Sequence, residues 1–155
     1  MRSKLNITVL VMLVLLFIQY VVGMVTNLFV QIPDSLSSQY KSGGAFYRYW
    51  WLSLQWILAH SSIFLRLHVI VGILLVIGSV LVAGMSIVMK SRVWIIFSIL
   101  GSIFTIGAGV NGMFFVSFGQ HDINSLIMAI AFLAAFVCYA SGYYVGQSRF
   151  PHRNS

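Results

Sequence analysis

The sequence predicts an all-α integral membrane protein, a bundle of four transmembrane helices in up-down-up-down order with an outer interfacial helix before the second span. Three observations predict this fold class. Hydrophobic residues make up 60% of the 155 positions and charged residues only 7%, whereas soluble domains carry roughly 25% charged residues. Four apolar runs are each long enough to cross about 30 Å of hydrocarbon. The connections between the last three runs are short, which favours antiparallel neighbours in a single membrane domain over residues 1–155.

The four predicted spans each follow from an apolar run of at least about 18 residues. They cover approximately residues 5–30, 63–89, 93–118 and 123–145. The first run follows Arg2 and Lys4, as the core of a signal peptide would. It continues to Val30 without a small-residue cleavage site, so we predict a retained first helix. Residues 146–155 are predicted to form a cytoplasmic tail.

The segment between the first two spans, residues 31–62, is predicted to contain an outer loop and an interfacial helix. Its first part is rich in Ser and Gly, which is typical of a loop, and its aromatic stretch at 46–56 is typical of side chains at headgroup level. A straight helix over residues 51–89 would be roughly 58 Å long, about twice the hydrocarbon thickness. We therefore predict a break near residues 60–62, with Ser61 or Ser62 capping the second span.

The distribution of lysine and arginine predicts the orientation of the spans. Basic residues are more numerous on one side of the membrane than on the other. The larger group is Arg2, Lys4, Lys90, Arg92, Arg149 and Arg153, and the smaller group is Lys41, Arg48 and Arg66. We therefore expect a multi-pass protein of the plasma membrane with both termini in the cytoplasm.

Polar side chains cluster towards the outer ends of the spans, whereas the inner two thirds of each span is almost purely apolar. The members of this cluster are Asn27, His60, Arg66, His68, Asn111, His121, Asp122 and Asn124. A polar group in hydrocarbon is costly unless it faces the bundle or water, so we expect these side chains to converge on an outward-facing pocket. The alternative is that the asparagines bond neighbouring helices, Asp122 caps the fourth span, and the boundary residues lie among the headgroups.

His68 is the most informative of these residues, because it lies about five residues, or roughly 8 Å, into the second span. A neutral imidazole at that depth needs a hydrogen-bond partner, a metal ion or a haem iron. His121, His60 or a methionine such as Met113 are candidates for a second ligand. Arg66 would either extend to the interface or pair with an anionic group such as a haem propionate.

The stretch at residues 65–72, Leu-Arg-Leu-His-Val-Ile-Val-Gly, resembles the haem-ligand helix of small four-helix b-type cytochromes and of the four-helix half-unit of haem A synthase. The resemblance implies haem ligation by His68, with haem b as the cofactor. The fourth span lacks a histidine to pair with His68, and the chain has no glutamate of the kind that the synthase reaction uses. Methionine thioethers leave copper as an alternative, and a purely interhelical role for His68 would require no cofactor.

Three classes of function follow from these features. The first is a haem- or metal-binding protein in electron transfer or in assembly of a respiratory-type complex. The second is a non-catalytic accessory subunit of a larger membrane complex, and the third is a small oligomeric transporter or channel. The sequence lacks an intramembrane carboxylate pair and HExxH, P-loop and Rossmann motifs, which argues against the corresponding enzymes. Its scattered basic residues argue against nucleic-acid binding. The expected partners are therefore the lipid bilayer and either other membrane subunits or further copies of the chain.

Overall fold

The computed structural model describes residues 2–32, 46–118 and 120–148, and these residues form α-helices and no strand. The helices are α1 (Arg2–Phe29), α2 (Phe46–His60), α3 (Ile63–Val88), α4 (Arg92–Ser117) and α5 (Asp122–Ser148). Most of the predicted outer loop, at 33–45, and most of the predicted tail, at 149–155, lie outside the described residues, and so do Lys41, Arg149 and Arg153.

Four of the helices, α1, α3, α4 and α5, are long and apolar enough to cross a membrane. Their candidate spans are 26 or 27 residues long, with a mean hydropathy of 2.1 or more over the windows that define them. At 1.5 Å per residue, a 26-residue helix extends about 39 Å, which exceeds the hydrocarbon thickness. The predicted membrane bundle of four helices is therefore confirmed. The span limits agree with the prediction to within a few residues, and the last helix continues to Ser148.

The four spans form a closed ring in which α1 packs against α3 and α5, and α4 packs against the same two helices. Neighbouring spans run antiparallel, as the α4–α5 pair illustrates. Gly101 faces Tyr139 whereas Gly112 faces Met128, so positions rise along α4 as they fall along α5. This arrangement is the predicted up-down-up-down bundle.

Glycines bring the backbones of α4 and α5 close together. A Cβ atom built at Gly101 would lie 2.7 Å from Cζ of Tyr139, and one built at Gly142 would lie 2.9 Å from Cβ of Phe97. Each aromatic side chain therefore packs directly on the backbone of the opposite helix. Such small-residue contacts are the usual means by which membrane helices approach, because lipid provides no hydrophobic drive for their association.

The predicted break between α2 and α3 is also confirmed. Ser62 is the N-cap of α3, and its hydroxyl oxygen accepts a hydrogen bond of 3.4 Å from the backbone N–H of Leu65. Ser61 plays a different role, because its hydroxyl donates to the carbonyl of Ile57 at 2.6 Å and so satisfies an acceptor in the last turn of α2. Two adjacent serines thus end one helix and begin the next.

Helix α2 covers the end of the bundle at which α1 ends and α3 begins, which we call the α2 end. One face of α2 is buried there, through Tyr49, Ser53 and Ile57 at a spacing of four residues. This face packs against α3 and α4, and the hydroxyl oxygens of Ser53 and Ser117 lie 3.3 Å apart. The α2 end is therefore closed by a helix outside the ring of four spans.

Gln120 ties the end of α1 to the turn between α4 and α5. Its side-chain Nε2 donates to the carbonyl of Val30 at 2.8 Å, and its Oε1 accepts from the backbone N–H of Ile32 at 3.2 Å. Both contacts satisfy backbone groups just beyond the last turn of α1. The connection fixes α1 at the same end of the bundle that α2 covers.

Candidate functional site

A cavity of about 510 Å³ lies in the half of the bundle nearest the α2 end. All four spans contribute to its wall, and Tyr47, Trp50 and Trp51 of α2 contribute aromatic side chains at its outer part. Its volume falls within the range of about 300–1,000 Å³ that is typical of small-molecule sites. The cavity is therefore large enough to accept a ligand rather than a few water molecules.

Small residues on the facing helices leave this space unfilled. Gly72 of α3 and Ala108, Gly109 and Gly112 of α4 lie in the wall, and a Cβ atom built at Gly109 would meet its first neighbour, Cγ2 of Val76, only at 3.6 Å. Most of the remaining wall consists of aliphatic and aromatic side chains. The site is thus mainly apolar, which favours a ligand with a large apolar part.

Gln19 supplies an amide to this apolar wall. It lies ten residues before the end of α1, or about 15 Å along the helix, and only 2% of its surface is exposed. Its Nε2 donates to the backbone carbonyl of His68 at 2.8 Å and lies 3.4 Å from Nε2 of the same imidazole. The amide of α1 thereby engages both the backbone and the ring of one residue of α3.

These two contacts bear on the orientation of the Gln19 amide and on the tautomer of His68. The amide atom next to the carbonyl oxygen must be nitrogen, since two oxygens at 2.8 Å would repel. This nitrogen can contribute only hydrogens, so the 3.4 Å contact is a hydrogen bond when Nε2 of His68 accepts with its lone pair. The neutral imidazole that makes this bond carries its proton on Nδ1.

The His68 ring lies against α1 at Gly23. A Cβ atom at Gly23 would be 2.8 Å from Cε1 of the ring and 3.3 Å from Nδ1. Any residue larger than glycine would therefore displace the imidazole. Glycine at this position is what allows the ring to lie between the α1 backbone and the Gln19 amide.

Three polar atoms of residues lining the cavity are buried and have no hydrogen-bond partner: Gln19 Oε1, Thr26 Oγ1 and His68 Nδ1. A buried polar group without a partner costs about 1–3 kcal/mol. Native interiors satisfy most such groups, and exceptions commonly mark a bound water, a ligand or a functional group. These three atoms therefore mark places where a bound water or a ligand could be held, although Asn6, Arg66 and Trp94 carry such atoms away from the cavity.

A second cavity, of about 30 Å³, lies on the α1–α5 side of the same residues. Gln19, Gly23 and His68 line both cavities, and Asn27 and Ser125 add polar side chains to the smaller one. A space of about 10–15 Å³ is enough for one water molecule. The Gln19–His68 pair thus lines both a large cavity and a small one.

The structure brings only some of the predicted site residues to the cavity. Asn27, His68 and Met113 line it. His60, at the end of α2, and His121, before α5, are both exposed, and neither lines either cavity. His68 is therefore paired with an amide of α1 and not with a second histidine.

The remaining predicted residues lie around the α2 end. Arg66 donates through Nη2 to the carbonyl of Ala59 at 3.0 Å, which places its positive charge at the C-terminus of α2 where the helix dipole favours it. Asp122 is exposed in the first turn of α5, the favourable end for an anion. Asn111 and Asn124 are half-buried outside both cavities.

Gln19 and Thr26 are the site residues that the sequence analysis missed. Gln19 could have been identified by the reasoning that identified His68, because both are polar side chains inside an apolar span. Thr26 carries a weaker signal, since a threonine hydroxyl can bond to a carbonyl of its own helix. That Gln19 meets His68 depends on the rotation of two helices, which their uniformly apolar sequences do not reveal.

Among residues 2–32, 46–118 and 120–148, no group of three or more His, Cys, Asp or Glu side chains is placed to hold a metal ion. No known protein family, characterised protein or solved structure matches this chain.

Proposed function

We propose that this membrane protein binds an apolar small molecule, or the apolar part of an amphiphile, in the cavity at the α2 end. The observation that carries the proposal is the volume of about 510 Å³ lined by mainly apolar side chains from all four spans and α2. Entry from the bilayer would suit such a ligand, because the surrounding spans expose large apolar side chains such as Ile73 and Ile106.

Photolabelling in lipid nanodiscs tests this proposal. The probe is a saturated C16 hydrocarbon that carries a diazirine, and labelled positions are mapped by peptide mass spectrometry. We expect labelling of cavity-lining side chains to saturate at low probe concentration, while labelling of lipid-facing side chains rises linearly. Labelling that increases linearly at every position would refute the proposal.

A matched pair of variants on α4 strengthens this experiment. Gly109→Leu places an isobutyl group in the cavity wall, where a Cβ atom has its nearest neighbour at 3.6 Å. Gly107→Leu is the control, because Gly107 does not line the cavity and a Cβ atom there has no neighbour within 4 Å. We expect saturable labelling to be lost in Gly109→Leu and kept in Gly107→Leu.

Haem binding is the second proposal, and His68 together with Met113 and Met128 in the cavity wall supports it. Nε2 of His68 accepts from Gln19, so the imidazole would have to turn away from that amide to offer a lone pair to iron. An absorption spectrum with and without dithionite, combined with iron and copper analysis, tests this. A Soret band that disappears in His68→Ala would support haem b, stoichiometric copper without a Soret band would support the copper alternative, and a sample free of both would exclude the two.

We also propose that both termini are cytoplasmic and that the host membrane is the plasma membrane. Lys90 and Arg92 at the end opposite α2 support this orientation. The orientation is tested with single cysteines introduced at Ser91 and His121 in a Cys138→Ser background. A membrane-impermeant maleimide applied to intact cells labels only cysteines on the outer side. We expect labelling at position 121 and protection at position 91, and the reverse pattern would invert the topology.

The accessory-subunit and oligomer hypotheses rest on the apolar outer surface of the spans, where residues such as Val80 and Leu133 are more than half exposed. Lipid covers such a surface in a membrane protein that acts alone, and another membrane subunit or a second copy covers it in a complex. Native mass spectrometry after mild-detergent extraction separates these cases. A chain that appears only as a monomer would exclude both hypotheses.

A further inference from the structure

Gln19 and His68 present complementary unsatisfied groups beside the cavity. Oε1 of Gln19 is an acceptor without a donor, because the Nε2 of the same amide is the atom engaged by His68. In the tautomer whose Nε2 accepts from Gln19, Nδ1 of His68 carries the ring proton and has no acceptor. The pair therefore needs one outside donor, for Oε1 of Gln19, and one outside acceptor, for Nδ1–H of His68.

We propose that the ligand of the cavity is an apolar molecule that ends in a hydroxyl group, such as a long-chain alcohol, a phenol or an isoprenoid quinol. This inference rests on the proposed function of the cavity and specifies the ligand's polar end. A hydroxyl group donates one hydrogen bond and accepts others. One hydroxyl oxygen can therefore donate to Oε1 of Gln19 and accept from Nδ1 of His68. A ketone or ether oxygen would satisfy only His68, and an ammonium group would satisfy only Gln19.

The sizes of the two cavities fit a ligand with a large apolar body and a small hydroxyl end. The large cavity of about 510 Å³, with mainly apolar walls, receives the apolar body. The small cavity of about 30 Å³ shares Gln19 and His68 with it and has room for a single water-sized group. The hydroxyl group would lie at this shared wall, within the bundle and away from the headgroups.

Contacts on both sides position the polar pair for such a group. The Gln19 amide is fixed by its 2.8 Å bond to the His68 carbonyl, and the His68 ring is confined by the α1 backbone at Gly23. A ligand without a hydroxyl group would leave the same polar atoms unsatisfied. Sites that hydrogen-bond a substrate hydroxyl bind analogues that lack it more weakly for this reason.

Competition against the C16 photoprobe in nanodiscs tests the inference. The competitors are 1-hexadecanol and its methyl ether, which share one chain and one oxygen and differ in the ability to donate. We expect the alcohol to compete about five- to 150-fold more strongly at cavity positions, since the unmet acceptor costs about 1–3 kcal/mol with the ether. In Gln19→Leu the preference should fall to about one.

Asn111→Leu is the matched control, because Asn111 is a half-buried amide of α4 that lines neither cavity. We expect it to keep the full preference for the alcohol. Competition by the ether in Gln19→Leu shows that the variant is folded. His68→Phe is a second test, because it keeps the backbone carbonyl that holds the Gln19 amide: we expect the preference for the alcohol to remain while competition by both compounds weakens through loss of the Nδ1–H donor. Equal competition by alcohol and ether in the unaltered protein would overturn the hydroxyl inference while leaving the cavity as an apolar site. An absence of saturable labelling would instead overturn the proposed function.

Discussion

Replacing Gly101 by alanine tests a close contact between α4 and α5. The new Cβ atom would lie 2.7 Å from Cζ of Tyr139 and 2.9 Å from both Cε atoms. Tyr139 is only 1% exposed, and its hydroxyl oxygen lies 3.5 Å from that of Ser102. The ring has no free space to move into, so α4 and α5 would have to separate.

The size of the effect follows from two opposing terms. Overpacking a filled interior costs about 1–3 kcal/mol, whereas alanine in place of glycine favours a helix interior by about 1 kcal/mol. Gly101→Ala should therefore lower the free energy of unfolding by about 0–2 kcal/mol. Gly107→Ala, six residues along the same helix, has no heavy atom within 4 Å of its Cβ position and receives only the favourable term. We expect the two variants to differ by about 1–3 kcal/mol.

Unfolding by sodium dodecyl sulfate in mixed micelles, followed by far-ultraviolet circular dichroism, measures this difference. Both variants exchange the same residue types within one helix, so changes in the unfolded state should largely cancel. Equal midpoints for Gly101→Ala and Gly107→Ala would show that Tyr139 does not pack on the α4 backbone, and the reasoning would be refuted.

Three further changes test other contacts. Gly146→Ala puts a Cβ atom 2.5 Å from the Trp94 indole, so we expect destabilisation of up to about 2 kcal/mol and a shift of tryptophan emission; unchanged emission would contradict the contact. Gly23→Ala displaces the His68 ring and should weaken competition by both 1-hexadecanol and its ether, because both accept from Nδ1 of that ring, whereas unchanged competition would show that the ring position is irrelevant. Ser62→Ala removes the cap of α3 and should cost about 0.5–1 kcal/mol in the same detergent titration, and an unchanged midpoint would argue against capping.

The number of spans and the break before α3 were predictable from sequence because they depend on length and hydropathy alone. A helix through residues 51–89 would be too long for the bilayer, and adjacent serines offered a cap at the required place. The observed N-cap at Ser62 confirms this argument. The capping preference of serine, together with the fixed thickness of the bilayer, was sufficient to predict the break before α3.

The faces of the spans were not predictable in the same way. Leu75 and Val82 of α3 are fully buried, while Ile77 and Val80 between them are more than half exposed. All four are aliphatic, because lipid and protein interior are similarly apolar, so no hydrophobic periodicity distinguishes the two faces. The contact between Gln19 and His68 and the position of the cavity depend on how each span is rotated about its own axis. Neither could therefore be predicted from the sequence.

The buried hydroxyl groups of the bundle show why the Gln19–His68 pair needs a further hydrogen-bond partner. Ser86 and Thr105 each donate to a carbonyl of their own helix, at 2.7 and 2.8 Å, so a short side chain can satisfy itself within the membrane. Glutamine and histidine depend on a partner from elsewhere, and here each meets the other only in part. A half-satisfied polar pair is less stable than an apolar contact of the same size. Such a departure from optimal packing is expected where an incoming group completes the network, and the cavity beside the pair supplies the place for one.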